Sequence, residues 1–184
     1  MKREIERQAF HVLAGIVALA VLLYLGKGML AGMMFFVVLI GLLLINLNFT
    51  GKKLGLVAWF LERFERTNVP FVGWGSACYA TGVLIAAVFL PSADQVAAAI
   101  IILALGDAAS TLVGMRGKIK LPYNKKKTLE GSAAFFIASL TGYLFAGPMI
   151  LPVALAGALM ESLDLPFDDN ITVAVAITTA FLVI

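Results

Sequence analysis

Charged residues are scarce in this sequence: only 14% of its 184 residues are Asp, Glu, Lys or Arg, against about a quarter in soluble domains. Hydrophobic residues make up 61% and stand in long runs. No polar stretch is long enough to form a separate soluble core. We therefore predict an all-α, polytopic integral membrane protein, with residues 1–184 forming one domain.

Several other features are missing. The single cysteine, Cys78, excludes an internal disulfide bond. The first apolar run lacks a small-residue cleavage site, so we expect no cleavable signal peptide. No GxxxxGK[ST] pattern occurs, which excludes a Walker A phosphate-binding loop. The formal net charge is only +3, and we expect no nucleic-acid partner.

Seven apolar runs predict transmembrane helices, since about 20 residues cross a hydrocarbon core. The predicted spans are Phe10–Leu25, Met29–Asn46, Val72–Leu90, Asp94–Val113, Leu129–Ala146, Pro148–Leu163 and Ile171–Ile184. Between the second and third spans, Gly51–Asn68 has its apolar residues on one helical face and its charges elsewhere. This pattern indicates an interfacial amphipathic helix.

The charge distribution predicts the orientation. With the N-terminus in the cytoplasm, all of the 14 basic residues except Lys27 fall on the cytoplasmic side, as the positive-inside rule requires. The C-terminus then lies outside, and the chemistry is cytoplasmic because the outer face has almost no polar groups. The membrane would be the cell membrane in a prokaryote or the endoplasmic reticulum in a eukaryote.

Asp107 stands inside the fourth apolar run. An unpartnered carboxylate at membrane depth is very unfavourable, so it would recruit a cation or a proton. The functional interpretation is a Mg²⁺ ligand, and the alternative is a polar contact between helices. Ser110 and Gly114 would lie on the same helical face as Asp107.

A basic loop, Met115–Lys127, follows the fourth span and contains no acid. Its charges alone would serve as topology signals that attract anionic lipid. However, Thr128 can cap the helix that begins at Leu129, which would leave free N–H groups and a positive dipole end beside Lys125, Lys126 and Lys127. We therefore predict a phosphate-binding site without a P-loop.

Other polar residues have open interpretations. Glu130 either suits the helix N-terminus electrostatically, or binds metal or accepts a proton. Asp168, Asp169 and Asn170 belong to an acidic cluster with Glu161 and Asp164, which is either solvated or paired with lysines or a metal. Arg7, His11 and Arg63 are interfacial groups that could contact a substrate; for Arg7 snorkelling is the simpler explanation, and His11 is a candidate proton carrier.

The sequence GDAASTLVG (106–114), the basic linker and KKTLEGS (126–132) together resemble the signature of the CTP-dependent polyisoprenoid and lipid kinases. That family includes dolichol kinase, phytol kinase and CTP-dependent diacylglycerol kinase, with distant similarity to phosphatidate cytidylyltransferase. Weaker matching pieces are Glu6-Arg7 with His11, the region of Arg63 followed by Gly75 and Tyr79, and Asp168-Asp169-Asn170 before the last span.

The resemblance implies transfer of the γ-phosphate of CTP to a membrane-embedded lipid alcohol. Dolichol or another polyprenol is preferred, and phytol, geranylgeraniol or diacylglycerol are also possible. It implies Mg²⁺ on Asp107 and on Asp168 or Asp169, with Glu130 and Lys127 as further catalytic groups. The triphosphate and cytosine would contact a set drawn from both motifs and the last span: Ser110, Gly114, Lys125, Lys126, Lys127, Thr128, Ser132 and Asn170.

Two alternatives stay open at this point. A cytidylyltransferase that makes a CDP-lipid would use the same nucleotide and metal. A small transporter would use Asp107 as an ion relay, but it predicts polar residues across the whole membrane, and the outer half is almost wholly apolar.

Overall fold

A computed structural model describes residues 2–50, 55, 59, 63 and 73–184. The first helix, α1, is Lys2–Phe49, and α2 is Trp74–Phe89. Helix α3 (Ala93–Ile101) continues through a π-helical segment, Ile102–Gly106, into α4 (Asp107–Gly114). The later helices are α5 (Leu129–Ser139), α6 (Tyr143–Ala146), α7 (Ile150–Ser162) and α8 (Asp169–Val183), with 3₁₀ turns at Leu140–Gly142 and Gly147–Met149. The described residues contain no β-strand, so the all-α prediction is confirmed for them.

Three helical stretches are long and apolar enough to cross a membrane: Arg3–Leu47, Ala93–Gly114 and Leu129–Ser162. Helices α2 and α8 are shorter apolar helices. The fold is therefore that of a helical membrane protein, while the count of seven spans stays a prediction. The predicted amphipathic helix Gly51–Asn68 lies largely outside the described residues; Gly55, Trp59 and Arg63, which are described, have helical backbone and are exposed.

The helices pack through small residues and leave large apolar side chains outside. Ala97, Ala98 and Ala99 of α3 are fully buried at the centre, where α3 contacts α1 and α2. By contrast, many leucine and phenylalanine side chains of α1 are exposed, including Phe35 and Phe36. Close packing of small residues with an apolar exterior is what lipid-embedded helices require.

Gly26 breaks α1 between the first two predicted spans. Its φ of 84° and ψ of 169° fall in a backbone region that essentially only glycine adopts. The neighbouring Lys27 ammonium donates a hydrogen bond to the carbonyl of Leu90, which ties this break to the end of α2. Gly147, with φ of 55°, lies similarly between the fifth and sixth predicted spans.

Replacing Gly26 with alanine is expected to lower the free energy of unfolding by about 1–3 kcal/mol, the usual penalty for such a backbone conformation. A Cβ atom there would meet nothing within 4 Å, so the effect would come from the backbone alone. Gly28→Ala is the matched control, since Gly28 also has open space but no positive φ. Unfolding in mixed micelles, followed by circular dichroism, compares the two; equal stabilities would contradict the prediction.

Candidate functional site

A cleft of ≈ 270 Å³ opens where α4, α5 and the basic loop meet. Two parts of the sequence form its walls: the end of α4, and the segment from the loop into α5. Helix α7 contributes Glu161. The lining residues are Ser110, Thr111, Gly114, Met115, Lys120, Lys126, Lys127, Thr128, Gly131, Ser132 and Glu161.

The walls of the cleft approach closely because glycine stands at the crossing of α4 and α5. A Cβ atom on Gly131 would lie 3.0 Å from the carbonyl oxygen of Ser110 and 3.1 Å from Cα of Gly114. The two backbones therefore touch directly, as small residues allow between membrane helices. This contact places Ser110 and Gly114 opposite the start of α5.

Thr128 caps α5 as predicted: its Oγ1 accepts a hydrogen bond from the Gly131 N–H at 3.2 Å. That hydrogen bond is the predicted cap. The expectation that the other N–H groups of this helix start are free does not hold for Leu129, whose N–H donates to the carbonyl of Ile119 at 2.9 Å. The helix start therefore has fewer free N–H groups than the sequence pattern predicted.

Polar contacts order the basic loop against α5 and α7. Lys120 pairs with Thr128 in an antiparallel bridge, and the buried Asn124 donates from Nδ2 to the carbonyl of Ser162 at 3.0 Å. Asn124 Oδ1 also accepts from the backbone N–H of Lys126 at 3.0 Å. Asn124 was not predicted to have a role, because its contacts depend on a distant part of the chain.

Glu130 faces this loop. Its Oε1 accepts from the backbone N–H groups of Lys118 at 2.8 Å and Ile119 at 3.2 Å. The carboxylate therefore helps to hold the loop in place. Metal binding or proton transfer by Glu130 stays a prediction. Lys125 is exposed at the loop and does not line the cleft described above.

Lys127 connects the loop to two other helices through a double ion pair. Its Nζ lies 2.5 Å from Oε1 of Glu161 on α7 and 2.8 Å from Oδ2 of Asp169 on α8. Burial lowers the pKa of this ammonium, but the charges and hydrogen bonds of Asp169 and Glu161 outweigh burial and raise the pKa above its ordinary value. Lys127 is thus protonated throughout the neutral range.

The ion pairs of Lys127 are expected to stabilise the folded protein at neutral pH and to lose this effect in strong alkali. Because the pKa is raised in the folded state, the stabilisation is fully present below the ordinary pKa of 10.5 and is lost as the pH rises through the folded-state pKa. Lys127→Arg stays charged and should lose less stability there. Unfolding midpoints at increasing pH measure this, and parallel curves for both proteins would contradict it.

Glu161, which lines the cleft, pairs with a lysine, one of the alternatives expected for its acidic cluster. Its side chain is almost fully buried, and its Oε1 accepts from Ser110 Oγ at 2.8 Å as well as from Lys127. By contrast, Asp164 and Lys126 form an exposed pair at 3.0 Å. The sequence signal for Glu161 was only its place in the acidic cluster.

Asp107 begins α4 directly after the π-helical segment and is 9% exposed. Its Oδ2 has no hydrogen-bond partner among the described residues. Local π-helical turns are frequent at functional sites, because they re-aim the side chains that follow. Asp107, Glu161, Asp169 and Asn170 line a narrow crevice behind the cleft, together with apolar side chains of the π-helical segment, α5 and α8.

The start of α1 lies beside Asp107. The buried Arg7 interacts electrostatically with Asp107 and Asp168, and it forms an ion pair with Glu4. The rings of His11 and Tyr79 meet edge to face at a centroid distance of 4.8 Å. Arg63 pairs instead with Glu6 at 2.7 Å and is half exposed. The structure thus places Arg7 near two of the predicted metal ligands, Asp107 and Asp168. Arg63 instead contacts Glu6 near the N-terminus of α1.

Asp168 and Asn170 begin α8. Asp168 Oδ1 accepts from the backbone N–H of Asn170 at 3.0 Å and from its Nδ2 at 2.9 Å, so Asp168 caps the helix. Within residues 2–50 and 73–184, no three His, Cys, Asp or Glu side chains are grouped closely enough to hold a metal ion by themselves. Mg²⁺ usually needs only one or two carboxylates besides water and phosphate, so its predicted site stays a prediction.

Comparison with known proteins gives one match over nearly the whole chain. The sequence is 35% identical over 175 residues to the uncharacterised protein MJ1137 of Methanocaldococcus jannaschii, covering 92% of this chain and 87% of that protein. No family model matches the chain, and no solved structure matches it.

Two partial matches are to plant proteins with named activities. The chain is 36% identical over 120 residues to the chloroplastic farnesol kinase of Arabidopsis thaliana, and 38% identical over 92 residues to a probable chloroplastic phytol kinase of Triticum aestivum. These matches cover 54% and 39% of this chain, and 39% and 30% of the respective kinases.

Proposed function

Because this chain belongs to the same family as MJ1137 of Methanocaldococcus jannaschii and shares partial similarity with farnesol and phytol kinases, we propose that it is a lipid-alcohol kinase. The donor in this proposal is CTP and the acceptor is an isoprenoid alcohol in the bilayer. The names of the partial matches favour farnesol- or phytol-like acceptors alongside dolichol and other polyprenols, and they give no support to diacylglycerol.

One observation carries the proposal: the two halves of the sequence signature, GDAASTLVG and KKTLEGS, form opposite walls of a single cleft. Lys126 and Lys127 stand on one wall with Thr128 and Ser132. Ser132 Oγ is buried and has no hydrogen-bond partner among the described residues, so it is available to a ligand. Positive charge and unused polar atoms in one cleft suit a polyphosphate.

The triphosphate is proposed to lie along Lys126, Lys127 and Ser132, with Ser110 and Gly114 on the facing wall. Lys125, which is exposed, would contribute at the mouth through its charge. Cytosine recognition is assigned to the region of Asn170 and the loop. The N-terminus and the cleft face the cytoplasm in this proposal, and the C-terminus faces outward.

The residues near Asp107 fit a hard cation. Its unpartnered Oδ2, and the unpartnered Oε2 of Glu161 and Oδ1 of Asn170, are buried oxygen atoms of the kind that Mg²⁺ or Ca²⁺ bind. Mg²⁺ would be held by Asp107 with Asp169 or Asp168, and it would neutralise charge on the phosphates. Arg7 lies close enough to Asp107 to hold that carboxylate in place electrostatically.

In the proposed reaction, the hydroxyl oxygen of the lipid forms a bond to the γ-phosphorus. The bond between that phosphorus and the oxygen bridging to the β-phosphate breaks, and CDP leaves with the electron pair. The hydroxyl proton passes to a carboxylate, for which Glu130 is our candidate, or to water. Phosphoryl transfer depends mainly on positioning and charge neutralisation, which the lysines of this cleft supply.

The proposal is tested with the purified full chain in detergent or lipid discs. It is incubated with γ-labelled CTP or γ-labelled ATP and one lipid alcohol at a time: farnesol, phytol, geranylgeraniol, dolichol or diacylglycerol. We expect label in an isoprenoid lipid with CTP. Absence of label from every lipid with both nucleotides, from a folded protein, would refute the kinase assignment.

A further inference from the structure

Lys127 stands between the outer cleft and the crevice behind it. Its ammonium lines the cleft, and both of its ion-pair partners, Glu161 and Asp169, line the crevice. The crevice is too narrow in this structure to admit a water-sized sphere. Lys127 is thus the cation that the carboxylates of the crevice contact from the side of the cleft.

Three buried oxygen atoms in the crevice have no hydrogen-bond partner among the described residues: Asp107 Oδ2, Glu161 Oε2 and Asn170 Oδ1. The three residues are 9%, 2% and 6% exposed. Buried acceptors without partners are unfavourable, and a cation would satisfy all three at once. The oxygen of Asn170 is identified by its amide nitrogen, which donates to Asp168.

In this structure the ammonium of Lys127 neutralises the negative charges of Glu161 and Asp169. At 2.5 Å and 2.8 Å, its ammonium contacts one oxygen of each carboxylate. A divalent cation bound to Glu161 would repel this ammonium and compete for the same negative charge. The lysine side chain is flexible and 26% exposed, and it lines the cleft, so its ammonium can move into the cleft.

We propose that Lys127 is an exchangeable counter-ion. In the empty site it neutralises Glu161 and Asp169; a divalent cation held by Asp107, Glu161 and Asn170 displaces it into the cleft, where it binds phosphate. The inference rests on the proposed function and places Glu161 and Asn170, rather than Asp168 or Asp169, beside Asp107 as cation ligands. It makes cation and nucleotide binding mutually strengthening, because each favours the displaced position of Lys127.

Binding of Mn²⁺ to the full chain in micelles, measured by electron paramagnetic resonance, tests this directly. Lys127→Met removes the competing ammonium, so we expect Mn²⁺ alone to bind on the order of tenfold more tightly than to the wild type. CTP should tighten Mn²⁺ binding by a similar factor in the wild type and much less in this variant. Lys118→Met, an exposed lysine of the same loop, is the control for loss of one charge and should match the wild type.

Equal or weaker Mn²⁺ binding by Lys127→Met, with Lys118→Met unchanged, would overturn the proposal. If Lys127→Met does not fold, amine acetylation of the wild-type protein, measured by mass spectrometry, tests whether Mg²⁺ displaces Lys127 from Glu161 and Asp169. Saturating Mg²⁺ alone should raise the labelling of Lys127 severalfold relative to Lys118, and added CTP should lower it again. Equal labelling of Lys127 with and without Mg²⁺ would also overturn the proposal that Lys127 is an exchangeable counter-ion.

The outcomes separate this inference from the kinase assignment. Tighter Mn²⁺ binding by Lys127→Met, without phosphate transfer to any lipid by the wild type, would support the counter-ion role and refute the kinase. Phosphate transfer to a lipid, with Mn²⁺ binding unaffected by Lys127→Met, would support the kinase and refute the counter-ion role.

Discussion

Replacing Asp107 with asparagine is expected to abolish phosphate transfer, lowering the turnover rate by at least on the order of 10³-fold. Asparagine keeps the shape of the side chain and loses its negative charge. The carboxylate is buried, its Oδ2 has no hydrogen-bond partner among the described residues, and it is itself a proposed cation ligand, so the substitution removes negative charge from the cation site. Turnover is measured as label transferred from γ-labelled CTP to the lipid alcohol.

Asp94→Asn is the matched control for this experiment. Asp94 is exposed in the first turn of α3, within the same apolar stretch as Asp107. It should retain wild-type turnover, and both variants should elute from size exclusion as the wild type does. Activity of the Asp107→Asn protein within tenfold of the wild type would remove Asp107 from the catalytic site.

Replacing Glu161 with alanine is expected to affect both stability and turnover. The change removes the nearer acceptor of Ser110, whose Oγ keeps only the carbonyl of Asp107 at 3.3 Å, and one of the two ion-pair partners of Lys127. The weakened hydrogen bonding of a buried hydroxyl and the loss of a largely buried ion pair together should lower the free energy of unfolding by about 2–3 kcal/mol. Turnover should fall by at least about 100-fold, because Lys127 loses an ion-pair partner and the proposed cation loses a ligand.

Asp164→Ala provides the comparison for Glu161→Ala. The pair of Asp164 and Lys126 has side chains that are 52% and 77% exposed. Exposed ion pairs contribute only about 0–1 kcal/mol, so this variant should unfold nearly as the wild type does. Equal free energies of unfolding for both variants in mixed micelles would show that the buried contacts of Glu161 do not stabilise the fold.

The helices could be predicted from the sequence because long apolar runs indicate membrane helices without reference to the rest of the chain. It also predicted that the two signature halves belong together: Ser110 and Gly114 stand opposite Lys127 and Thr128 across one cleft. Those residues lie close to the facing ends of two helices that are consecutive in the sequence, and the basic loop that joins these helices folds back to bring them together. The cap formed by Thr128 is likewise a local feature, and it is present.

Long-range polar contacts could not be predicted in this way. Glu161 and Asn124 take their roles from contacts between α7 and the loop, and no local pattern shows which acid of a cluster turns inward. The occupied N–H groups at the start of α5 depend on how the loop folds back, which the sequence pattern leaves open. The proximity of Arg7 to Asp107 also required the packing of α1.

The central claim is that this cleft transfers a phosphate group from CTP to a lipid alcohol. The most direct measurement compares CTP labelled at the γ-phosphate with CTP labelled at the α-phosphate, using the same protein and the same isoprenoid alcohol. A kinase places γ-label in the lipid and leaves α-label in CDP. Lipid that acquires α-label, or lipid that acquires neither, would contradict the account.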